Sequence, residues 1–162
     1  IPKGGGHAMA AGVSLRPGDI GPLRAFLAER LAASVSVARA ASALKVDAAL
    51  TARGASLDLL RAIEKAGPFG AGNPSPVFVF PAHRARFPQI VGKGGHVSFT
   101  LTSDDGARLK AIAFRAAGTP LGDVLMRDSD QPLHFAGSLS LDHYQGREQV
   151  QFRLIDIARP ER

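Results

Sequence analysis

Cysteine is absent from all 162 residues, so the chain has neither a disulfide framework nor a thiolate metal site. Tryptophan is absent too, and Tyr144 is the single tyrosine. Proteins that hold single strands by stacking bases use exposed aromatic rings. Here few rings are available, because Phe99, Phe135 and Phe152 fall at positions that a sheet would turn inward. Phe114 and Tyr144 are the two candidates left for stacking. No apolar run of about 18 residues and no signal-peptide pattern occurs, so no membrane partner is expected. His7, His83, His96, His134 and His143 show no ligand spacing such as His-x-x-x-His. Two-metal hydrolysis of a phosphodiester needs a carboxylate cluster, and none is visible. Asp104-Asp105 reads as turn chemistry instead. Gly92-Lys93-Gly94-Gly95 lacks the Ser/Thr and the preceding glycine of a Walker A loop. No metal site is assigned to this chain, and taken alone it is expected to be catalytically inert.

What is present is a 45% hydrophobic composition, enough for a real core, and an excess of bases. The net charge of +6 suits a partner with a phosphate backbone. The length allows one large domain or two small ones. The sequence starts at Ile1, almost on its first motif, which predicts a fragment of a larger soluble, cytoplasmic protein.

That motif is Gly4-Gly5-Gly6-His7-Ala8-Met9-Ala10-Ala11-Gly12. A short helix over His7–Ala11 would aim its free N–H groups at the glycines and form an anion site, with His7 at its mouth. Composition alone favours a flexible, glycine-rich end. Residues 11–15 read as a short strand. Ile20, Leu23, Leu27 and Leu31 recur at helical spacing and predict an amphipathic helix over about 19–34, with Asp19 as N-cap. Residues 34–43 carry no clear pattern. A strand is expected over 44–50 and a second helix after Ser56, stopped by Gly67-Pro68.

From Val77 onward the pattern is all-β. Strands are expected at about 82–91, 96–103, 107–115, 132–142 and 148–157. Val97, Phe99 and Leu101 alternate with His96, Ser98, Thr100 and Thr102. Asp104-Asp105-Gly106 signals a hairpin. The one partly helical stretch, 116–130, separates the third and fourth strands. Five strands with a helix at that place is the layout of an OB barrel. The fold class is therefore α+β, a small α/β layer followed by a five-stranded OB-fold.

OB-folds bind ligands on strands two and three and on the loops flanking them. That predicts a nucleic-acid surface made of Arg84, Arg86, Lys93, His96, Arg108, Lys110 and Arg115, with Tyr144 and Arg147 at the far loop. Between positions 83 and 115 there are six bases and two acids. Both acids are expected at the hairpin tip, away from the groove. A solvated charged face is the alternative. Contact is expected to be electrostatic and tolerant of sequence.

Gly-Gly-Gly-His-x-x-Ala-Ala-Gly resembles the signature of the DHH-associated domain in the DHH family of phosphoesterases. Pro68-Phe69-Gly70-Ala71-Gly72-Asn73-Pro74-Ser75-Pro76-Val77-Phe78 resembles the domain junction of the RecJ-like single-stranded-DNA exonucleases in that family. Tyr144-Gln145-Gly146 and Gln151-Phe152-Arg153-Leu154-Ile155-Asp156-Ile157 resemble the end of their OB-fold. The Asp-rich motifs and the Asp-His-His triplet of the catalytic domain do not occur here. The resemblance implies residues 1–66 as the remainder of the DHH-associated domain, 67–76 as a structured junction around a buried Phe69, and 77–162 as the OB-fold. It implies a parent that hydrolyses single-stranded DNA from 5′ to 3′ with Mn²⁺ or Mg²⁺ in the missing DHH catalytic domain. No cofactor is assigned to the fragment. Gly4, Gly5, Gly6 and His7 would bind a substrate phosphate across a cleft from that domain, and DNA-repair proteins are further candidate partners. Two alternatives stay open: a DHH-family enzyme acting on short oligonucleotides or cyclic dinucleotides, and an OB-fold that docks proteins.

Overall fold

Alternation of apolar and polar residues from position 78 onward builds most of the ordered mass. A computed structural model describes residues 3–41, 43–144 and 146–160, with Ala40, Ala41 and Tyr144 described by backbone alone. The chain divides into two units, Ile1–Leu44 and Lys45–Arg162. The division falls well before residue 66, the boundary that the sequence pattern suggests.

In the first unit, β1 (Gly4–His7) and β2 (Ala10–Val13) form an antiparallel hairpin. The short helix expected over His7–Ala11 does not form. Gly6 makes the tight pairing possible, since a Cβ there would lie 2.8 Å from the Ala10 carbonyl oxygen. A 3-10 turn at Pro17–Asp19 leads into α1 (Ile20–Ala41). This helix is longer than the apolar spacing implied, because the Ala-rich segment that follows carries the best helix former. Its stripe of Ile20, Leu27, Leu31 and Val35 is exposed.

The second unit begins with β3, which is only Ala48–Ala49 and pairs parallel to the next strand. In α2 (Leu57–Glu64), Ser56 Oγ caps the first turn by accepting from the Leu59 N–H at 3.1 Å. The amphipathic face of α2 buries Leu60 in the core of this unit. The barrel consists of β4 (Phe78–Val91), β5 (His96–Thr102), β6 (Arg108–Ala113), β7 (Leu133–Tyr144) and β8 (Arg147–Ala158). The order is β4-β5-β6-β8-β7, and β7 pairs back to β4 to close it. The β6–β8 pair is parallel and the others are antiparallel. α3 (Pro120–Arg127) is the helix between β6 and β7, capped by Thr119. These five strands and their single helical insert agree with the expected OB layout.

The barrel core is Phe80, Phe99, Phe135 and Phe152 with Val97, Leu101, Leu125 and small alanines. Phe80 meets Phe152 edge-on, their centroids 4.7 Å apart. His83 is the one buried polar residue among those described, 3% exposed. Its Nε2 accepts from the Ala52 N–H at 3.1 Å, and Nδ1 lies 2.7 Å from the Pro81 carbonyl. Nδ1 therefore carries the proton and donates it to that carbonyl. This ring ties the turn at 51–55 to β4.

Candidate nucleic-acid interface

Because strand side chains alternate, each residue beside a core residue points out of the barrel. Register then aligns the outward residues in rows. Ser98, Ile112, Arg153 and Ser138 form one row across β5, β6, β8 and β7. Thr100, Lys110, Gln151 and Ser140 form the next. Thr102 pairs with Arg108, and Gln149 with Asp142. The outer face is thus mostly hydroxyl, amide and cation, with Ile112 its apolar exception. Hydroxyls and amides suit phosphate and sugar oxygens, and the cations supply charge.

The cations are not equivalent. Lys110 Nζ donates to Asp142 Oδ2 at 2.8 Å, and Gln149 Nε2 donates to the same oxygen at 2.9 Å. The Lys110 bond, followed by that from Gln149, holds the Asp142 carboxyl below the usual carboxylate range. Arg84 pairs with Asp104 and donates to the Asp130 carbonyl at 3.2 Å, and Arg86 pairs with Asp130. Asp104 lies in the hairpin turn, as the sequence suggested, but from there it pairs with Arg84 and so is not away from the cations of the face. Asp105 bonds Arg53 at 2.8 Å. Hydrogen bonds from the Ser103 hydroxyl and then Arg53 push the Asp105 carboxyl well below its ordinary value. Among the described residues, Arg108, Arg115, Arg147, Arg153 and Lys93 have no acidic partner.

Of the residues singled out by sequence, Arg108 and Lys110 lie on the face, and Arg84 and Arg86 extend it along β4 beside Thr102 and Thr100. His96 and Arg115 come together at one end. His96 Nδ1 accepts from the Arg115 N–H at 2.9 Å, and its ring meets Phe114 edge-on at 5.1 Å. Gly94 lies close under the same ring, where a Cβ would come within 2.8 Å of its far edge. His96 thus ties the start of β5 to the end of β6, the Ala117 N–H donates to the Gly95 carbonyl at 2.9 Å, and Lys93 is exposed on the 92–95 turn. Tyr144 and Arg147 pair across the β7–β8 turn; the Tyr144 side chain and Gln145 lie outside the described residues. Gly4, Gly5, Gly6 and His7 are exposed on their hairpin, where His7 Nδ1 accepts from the Met9 N–H at 3.2 Å.

Sequence reasoning missed Arg153. Its guanidinium carbon lies 5.6 Å from the centroid of Phe114, a ring 51% exposed. Arg153 also lines a groove of about 320 Å³ formed by α2, the 69–76 loop and β7. The alternation that put Phe152 and Leu154 inside had already put Arg153 outside. Only the parallel β6–β8 pairing brings it beside Ile112. Phe69, expected to be buried, is half-buried in that groove. The junction is structured by Gly70 and Asn73, whose N–H groups bond each other's carbonyls at 2.8 and 3.1 Å. Asn73 Nδ2 adds bonds to the Ala66 and Pro68 carbonyls. These two N–H groups are consumed within the loop and cannot also line a strand.

Among the described residues there is no group of three or more His, Asp or Glu that could hold a metal ion. No helix among them is long and apolar enough to cross a membrane.

Several solved structures share the fold. Crystal structures of RecJ from Thermus thermophilus, in complex with Mg²⁺ and with Mn²⁺, superpose with a TM-score of 0.56 each, at 21% and 22% identity. Each match covers 99% of this chain but 23% and 22% of the longer proteins, so the chain spans less than a quarter of their length. No curated protein sequence matches it. The family described as RecJ OB domain matches residues 46–156, which takes in β3 and nearly all of the barrel, and the chain belongs to that family.

Proposed function

We propose that the chain binds single-stranded DNA and positions it for a metal-dependent 5′-to-3′ exonuclease of the RecJ type. The observation that carries this reading is the outer face of β5, β6, β8 and β7. It is paved with hydroxyls and amides, and its Arg108 and Arg153 have no acidic partner among the described residues. Such a face takes up a phosphate backbone without reading bases. The solved Thermus relatives are RecJ structures in complex with Mg²⁺ and Mn²⁺, which supports a metal-dependent parent. The metal would be held by residues outside this chain, in a DHH catalytic domain, and the chain's own contribution is to hold and orient the strand. His7, whose Nδ1 is occupied by Met9, would donate from Nε2 to a substrate phosphate, with Gly4, Gly5 and Gly6 giving the strand close access. Cytoplasmic DNA repair is the setting this activity fits.

The test is the salt dependence of single-strand affinity, read by fluorescence anisotropy. Arg108→Ala with Arg153→Ala should weaken binding alike for different sequences and flatten the log–log salt slope by about 0.7 per lost contact. An unchanged slope with undiminished affinity would remove this face as the DNA site.

A further inference from the structure

We propose that the groove between α2, the 69–76 loop and β7 receives one unstacked base of the bound strand, with Arg153 on the flanking phosphate and Phe114 against the neighbouring base. This rests on the single-strand reading above and adds a base site to a face that otherwise contacts backbone. The groove holds about 320 Å³. That is the low end of small-ligand pockets, roughly 300–1,000 Å³, and suits a base with its sugar. Its walls are the ring of Phe69 with Phe78 and Leu139, apolar surfaces that match the faces of a base. Its polar groups are Ser138, Ser140 and Glu64. Ser140 donates to the Gln151 carbonyl at 3.3 Å, while the Ser138 hydroxyl has no partner among the described residues and is available to a base edge. The Glu64 carboxylate repels a phosphate, so the charged part of the nucleotide must stay outside.

Arg153 stands where that phosphate would be. It lines the groove on one side and lies over the Phe114 ring on the other, 5.6 Å from the centroid. One guanidinium thus joins a half-exposed aromatic surface to an enclosed one. A strand crossing the face along the Ser98–Ile112–Arg153–Ser138 row passes both. Stacking on Phe114 would be sequence-tolerant, as every base has a π-face.

The experiment uses the 162-residue chain and a short single-stranded oligonucleotide carrying 2-aminopurine at each position in turn. A base drawn out of its stack brightens, so fluorescence should rise on binding at one position and stay near the free-strand value elsewhere. Ser138→Tyr, which fills the groove from a strand position pointing outward, should abolish that rise. It should also weaken binding about tenfold and leave the salt slope unchanged, because no phosphate contact is lost. If melting shows that this variant does not fold, Phe69→Ala opens the wall instead; the loop keeps its Gly70–Asn73 bonds, and the same loss of signal is expected. Wild-type binding with no bright position, or a rise that survives both variants, would overturn the base site and leave the groove to a peptide. Flat anisotropy in the wild type would instead overturn strand binding itself.

Discussion

Arg108 and Lys110 stand two residues apart on β6 and point to the same side, yet their surroundings differ. Asp142 accepts from Lys110, and a phosphate must compete with that carboxylate to reach it. Removing Lys110 should therefore reduce strand affinity less than removing Arg108. The same substitution has a signature in pH. The folded carboxyl of Asp142 is depressed, so its ionisation adds stability above the unfolded value of about 3.9, and that stability is lost as pH falls through the lower folded value. In Lys110→Ala the Asp142 carboxyl should titrate closer to the ordinary range, and its share of the acid-limb stability should shrink. Carboxyl chemical shifts followed by NMR through the acid range check this. An Asp142 titration that does not move would assign its depression to Gln149 instead.

At the scale of elements, Gly137 is a point of close contact between β7 and β8. A Cβ there would collide with the Arg153 carbonyl oxygen and lie 2.8 Å from the Phe152 ring. Gly137→Ala should destabilise the barrel by about 1–3 kcal/mol through overpacking, measured by urea or thermal unfolding. A lone glycine in a strand signals a close approach, but the residue pattern does not say that the Arg153 backbone and the Phe152 ring make it. Other elements were plainly legible. Val97, Phe99 and Leu101 alternate without a break, so β5 and its buried face follow from period alone. Ser56 announced α2, and its hydroxyl does cap it. Illegible features were those set by partners distant in sequence. Asp104 and Asp130 neutralise Arg84 and Arg86 from other elements, and Arg153 joins the face only through pairing with β6. The glycine-rich opening misled for another reason. His7 to Ala11 has small residues that tolerate a helix, but Gly6 lets the backbones of β1 and β2 approach closely enough to pair.

For the molecule as a whole, the division at Leu44 and Lys45 separates two very different levels of internal support. The second unit holds every buried core residue among those described, whereas α1 and its hairpin show none. A chain starting at Lys45 should keep the cooperative melting transition and the salt slope of single-strand binding. Calorimetry with anisotropy on that shortened chain checks it. A lost transition would mean that the barrel depends on the residues before Lys45. The topology also bears on synthesis. β8 follows every other barrel strand in sequence, yet it sits between β6 and β7. Until it emerges from the ribosome, both of those strands present unpaired edges, the template on which neighbouring chains aggregate. The last barrel strand to be made is thus the one that covers the open edges of two strands made before it.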